Sequence, residues 1–83
     1  MIKLDNDLTC IEVPFGPVES GTMYLHFLEN NAKEMPWLDF LYKHCSRWDA
    51  NSRKLAIDEY LFEIIYCFYL DPEIETFYRL KFG

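Results

Sequence analysis

Residues 55–70 read LAIDEYLFEIIYCFYL, and how this stretch folds decides the architecture of the chain. Between Tyr60 and Leu70 only Glu63 carries a charge, so apolar or aromatic side chains would point in every direction around a helix. A helix apolar all round is normally a central one, covered on several sides. The stretch therefore predicts a central helix beginning near Ser52, with Asp49, Asn51 and Ser52 as capping residues. Its main stripe would be Ile57, Leu61, Ile64 and Phe68, widened by Tyr60, Phe62, Tyr66 and Tyr69. Pro72 would end it, because the residue before a proline avoids helical dihedrals. The stretch is shorter than the roughly 20 residues needed to span a bilayer and contains Asp58, Glu59 and Glu63, so a soluble protein is expected.

Working outward, Asp71-Pro72-Glu73 has the form of a helix start: a capping side chain, a proline in the first turn and an acid near the positive end of the dipole. Residues 74–82 also alternate as a strand would, and a short helix is preferred. On the N-terminal side, Pro36 fits the first turn of another helix, in which Trp37, Leu38, Leu41, Cys45 and Trp48 share a face. Asp39, Lys43 and Arg47 would form a solvated ridge on that helix. Residues 22–28, TMYLHFL, alternate and are rich in strand formers. A strand is preferred there over the competing helix, in which Tyr24, Phe27 and Leu28 fall at i, i+3, i+4. Residues 2–13 alternate weakly, and Pro14, Gly16 and Pro17 are expected to break any regular element. The expected fold is a helix-dominated α+β domain, single and compact over residues 1–83. An N-terminal β-hairpin would pack on two or three helices around the central apolar helix. An all-α small bundle is the alternative.

Composition narrows the function classes. Half of the 83 residues are hydrophobic, and two Trp, six Tyr and seven Phe are many for so small an interior. Some aromatics, Tyr and Trp above all, should remain at the surface and meet a partner or a second copy. The formal net charge is −6, from fourteen acids against eight bases. That sign disfavours direct nucleic-acid binding and binding to an anionic membrane, both of which rest on cationic side chains. Cys10, Cys45 and Cys67 are odd in number and read as reduced thiols of a cytoplasmic protein, two of them buried. The first residues, MIKLDNDL, lack the basic start and apolar run of a secretory signal.

The tests for chemistry come out negative. Cys10, His26, His44, Cys45 and Cys67 form none of the usual zinc spacings, so neither metal nor cofactor is expected. The chain has no nucleophile elbow, and Gly16, Gly21 and Gly83 cannot build a phosphate loop. A Cys67–His26 pair has nothing in the sequence to support it, and Cys67 reads as a small core residue. Glu63 either marks the exposed side of its helix or is a partly buried carboxylate awaiting an Arg or Lys. No catalytic residue is assigned, and an enzyme is not expected.

What remains is surface chemistry. The expected function is that of a small acidic inhibitor or neutraliser that binds a protein partner with a basic surface, such as a nucleic-acid-binding protein. Phage anti-defence proteins of the anti-CRISPR or anti-restriction type, and immunity or antitoxin proteins, share this profile of size and charge. Asp5, Asp7, Glu12, Asp58, Glu59 and Glu63 would steer association and accept hydrogen bonds from Arg or Lys. Tyr24, Trp37, Tyr66 and Tyr69 would anchor the contact. The alternative is a homodimeric structural or adaptor module in which the 60–70 helix pairs with its symmetry mate.

Overall fold

Residues 61–70 form a strand, and that single difference reorganises the whole fold. The computed structural model describes residues 7–19, 21–55 and 61–83. In chain order the elements are β1 (Thr9–Glu19), α1 (Tyr24–Ala32), α2 (Pro36–His44), β2 (Arg47–Lys54), β3 (Leu61–Leu70) and α3 (Pro72–Phe82). The three strands make one antiparallel sheet in the order β1-β3-β2. The protein is thus a small α+β fold with helix and strand in about equal measure. It is neither helix-dominated nor an all-α bundle, and no central helix lies among the described residues.

The reason lies in what flanks β3. Its N–H and C=O groups are shared with β1 on one side and β2 on the other, which satisfies the backbone of a strongly apolar segment as a helix would. Its β-branched and aromatic residues suit the pleated surface. Burial alternates along it: Ile64, Tyr66, Phe68 and Leu70 are buried to 1 % exposure or less, whereas Glu63, Ile65, Cys67 and Tyr69 are half-buried on the opposite face. The first set faces the helices, and burying side chains of that size contributes about 1.5–3 kcal/mol each.

The N-terminal hairpin is also corrected. β1 continues through Pro14, Gly16 and Pro17, and its register against β3 shifts between Phe15 and Val18. Gly16 permits the close approach there, since a Cβ would meet the Glu63 Cα at 3.2 Å and the Phe62 carbonyl oxygen at 3.3 Å. Residues 24–32, expected in part as the second hairpin strand, are helical instead. Leu28 and Ala32, one turn apart, bury one side of α1, and Phe27 packs beside them. Gly21, at φ 90°, makes the turn that leads into α1.

α2 starts at Pro36 as expected and buries Leu38 and Leu41. It ends sooner than its apolar spacing suggests. The Ser46 N–H donates to the Tyr69 carbonyl oxygen at 2.8 Å, which draws the chain into the sheet. Trp48 therefore lies on β2, with its ring 5.9 Å from that of Tyr66, and Arg47 also leaves the helical ridge. The Asp39–Lys43 pair of that ridge remains, at 3.1 Å. α3 starts at Pro72, with acids in its first turn and Arg79 and Lys81 in its last. Thr9 Oγ1 donates to Glu75 Oε1 at 2.8 Å and ties α3 to the start of β1. No helix among the described residues is long and apolar enough to cross a membrane.

Candidate functional site

All the core residues of β3 point to the helices, so its alternate residues build a second face, which no described element covers. Cross-strand pairing sets this face out in rows. Cys10, Tyr69 and Arg47 form one row and Glu12, Cys67 and Asp49 the next. Pro14, Ile65 and Asn51 follow, and Glu63 with Arg53 completes the set. Side chains aligned in this way across a sheet are within reach of one another.

The charges on this face are partly matched. Arg53 donates to Glu63 Oε1 at 2.9 Å, so the acid that stands alone in the apolar stretch has an internal partner. Arg47 donates to Asp49 Oδ2 at 2.6 Å, and its guanidinium carbon lies 3.8 Å from the centre of the Tyr69 ring. Cys10 and Glu12 are exposed on β1, and Cys67 lies half-buried on β3 opposite Glu12. Burial first, then Cys10 and the charges of Glu12 and Asp49, push the Cys67 thiol up from its ordinary value. Burial and the neighbouring Cys10 likewise raise the Tyr69 phenol, against the lowering effect of Arg47.

The proposed partner-binding residues have different fates. Asp7 and Glu12 are exposed, Tyr69 is half-exposed on the bare face, and Trp37 is half-buried on α2. Tyr24 is 36 % exposed beside a cleft of about 180 Å³ lined by Val18, Thr22, Ser52 and Phe62 among others. Tyr66 is not at the surface at all. Its ring lies 5.8 Å from Phe15, 6.5 Å from Phe27 and 6.2 Å from Phe68, and its hydroxyl donates to the Tyr24 carbonyl oxygen at 2.8 Å. It is a core residue and cannot anchor a partner. Asp5, Asp58 and Glu59 lie outside the described residues.

Other expectations change too. The exposed large apolar residues include Phe77 and Leu80 on α3 and Met23 and Leu25 at α1, rather than Tyr and Trp alone. None of the three cysteines is fully buried: Cys10 is exposed and Cys45 and Cys67 are half-buried. Cys67 is not a core residue of a helix, and it faces away from the helical layer that carries His26. The grouping that sequence spacing missed is Cys10, Glu12 and Cys67, whose ligand atoms all lie within 4.8 Å of one another. Cys10 and Cys67 are far apart in the chain, and only the β1–β3 register brings them together. No family model, curated protein or solved structure matches this chain.

Proposed function

We propose that this chain is a non-catalytic binding module, an acidic inhibitor or neutraliser that occludes a basic surface on a protein partner. The observation that carries this reading is the bare sheet face, which presents Tyr69 and the half-buried Ile65 beside the exposed carboxylate of Glu12. An aromatic anchor with an acidic rim suits a partner rich in Arg and Lys. Asp7, exposed just before β1, and the net charge of −6 add long-range steering. Glu63 and Asp49 contribute less, because each already has an arginine. A target that normally holds nucleic acid would meet carboxylates in place of phosphates. Phage anti-defence, immunity and antitoxin roles all fit this mode of action, in the cytoplasm.

The test compares the native chain with a Glu12→Lys, Tyr69→Ala double variant as tagged baits in extract of the native host. Captured proteins are identified after washes at low and high salt. A stoichiometric partner retained by the native chain, weakened by salt and lost by the variant supports the reading. A partner held equally by both baits at both salt levels refutes it.

A second reading, a homodimer, is favoured by one feature. It does not run through a 60–70 helix, because residues 61–70 form the central strand of the sheet. α3 instead presents Phe77 and Leu80, 64 % and 81 % exposed, with Glu73 near its start and Lys81 near its end. Antiparallel pairing with a second copy would bury the apolar pair and set unlike charges side by side. Light scattering of the native chain and of Leu80→Asp tests it: a dimer that becomes a monomer supports pairing through α3, and a native monomer at micromolar concentration refutes it.

A further inference from the structure

We propose that Cys10, Glu12 and Cys67 form a surface site for one thiophilic divalent cation, with zinc as the cation that suits it best. The two thiols and the carboxylate come from adjacent strands, on the face that no described element covers. Glu12 is the direct cross-strand neighbour of Cys67, and Cys10 is its diagonal neighbour. The antiparallel ladder thus holds all three Cβ positions before any ligand arrives.

The distances suit a metal better than a disulfide. Diagonal neighbours in a sheet have Cα atoms about 7–8 Å apart. A disulfide needs roughly 4.4–6.8 Å, which is shorter than that typical spacing. A tetrahedral zinc with bonds of about 2.3 Å to sulfur holds two sulfurs about 3.8 Å apart, so it bridges a wider pair. The ligand atoms here lie within 4.8 Å of one another, and side-chain rotations of exposed residues close the remaining gap. Soft thiolates select zinc over magnesium or calcium, and the carboxylate adds a hard donor that zinc accepts.

Charge points the same way. Cys67 lies directly opposite Glu12, an exposed carboxylate whose charge favours a cation beside the thiol. Binding replaces the two thiol protons, which pass to solvent, by one doubly charged ion. Asp49 is held by Arg47 at 2.6 Å, so three protein ligands bind the ion and water takes the fourth position. The site rests on the β1–β3 register and shares Glu12 with the binding face proposed above.

The experiment titrates the reduced full chain with cobalt(II), then displaces it with zinc, while following sulfur-to-cobalt charge-transfer absorption. Native mass spectrometry counts ions per chain. The expected result is one ion per chain, a charge-transfer band, and displacement by zinc. Cys10→Ser and Cys67→Ser should each weaken binding by more than the roughly tenfold to hundredfold that loss of an outer-shell partner costs. Glu12→Gln should weaken binding while keeping the sulfur band, and Cys45→Ser should behave as the native chain. Cys10 is exposed, so its variant keeps the test valid if Cys67→Ser folds poorly. Absence of the band in the native chain, or its survival in Cys10→Ser, overturns the proposal.

Discussion

Replacing Tyr66 by Phe removes one oxygen from the centre of the core and leaves the ring contacts in place. The lost hydrogen bond to the Tyr24 carbonyl contributes about 1 kcal/mol. At neutral pH the variant should melt about 4–8 °C lower, as expected per kcal/mol for a domain of this size. The pH dependence carries the sharper test. Burial first, and then Tyr24, push the Tyr66 phenol up to about 12 from its ordinary value of 10.0. The native state thus holds this proton more tightly than the unfolded chain does. Below pH 10 both states are protonated and the contribution is fully present. As pH rises from 10 towards 12 the unfolded chain ionises first, and at about 1.4 kcal/mol per unit the native protein loses up to roughly 2.7 kcal/mol. Tyr66→Phe lacks this loss, so the two stabilities should converge and cross near about pH 11. Urea unfolding of both proteins from pH 8 to 11.5, followed by circular dichroism, measures this. Parallel stability profiles across that range would refute the placement of Tyr66 as a buried, hydrogen-bonded phenol.

Three further outcomes follow from the same structure. Glu75 is held below the usual carboxylate range, first by the Thr9 hydroxyl and then by Arg79. Its contribution is present above the ordinary carboxylate value and is lost as pH falls through the depressed one; Glu75→Gln should flatten the acid limb of a stability profile, and identical limbs would count against the α3–β1 tie. Gly21→Ala puts a side chain at φ 90° with no atom within 4 Å to clash, so the backbone alone should cost about 1–2 kcal/mol by urea denaturation. Phe68→Ala opens a cavity among fully buried neighbours and should destabilise by about 3–5 kcal/mol, a loss that a surface position would not show.

The parts of the fold legible in the sequence are those with local punctuation. Pro36 starts α2 and Asp71-Pro72-Glu73 starts α3, since a proline in the first turn leaves little else for the chain to do. α1 is harder: Tyr24, Phe27 and Leu28 satisfy a helical spacing, and 22–28 alternates as well. The helix wins because Leu28 and Ala32 need the same turn spacing to reach the core, a demand visible only once the sheet is in place. β2 has no apolar run, and its residues read as the end of one helix at Trp48 and the capped start of the next near Ser52. It is an edge strand whose largest inward contribution is Trp48, and its other residues are polar because solvent meets them.

β3 is the instructive case, because the property that hides its structure also marks the candidate site. A central strand buried between neighbours is apolar on both faces, and periodicity alone does not distinguish it from a buried helix. Its length of ten residues and its β-branched and aromatic content favour the strand. Once the strand is recognised, the outward residues Ile65, Cys67 and Tyr69 need a separate explanation, since no described helix covers them. Partial cover from β1 and β2 accounts for their half-burial, yet polar residues would serve equally well on a merely solvated face. An apolar and thiol-bearing row bordered by Glu12, Asp49, Arg47 and Arg53 is instead what a contact surface requires: an anchor in the middle and charges at the rim. The candidate site thus follows from the register of three strands, information that no single stretch of the chain contains.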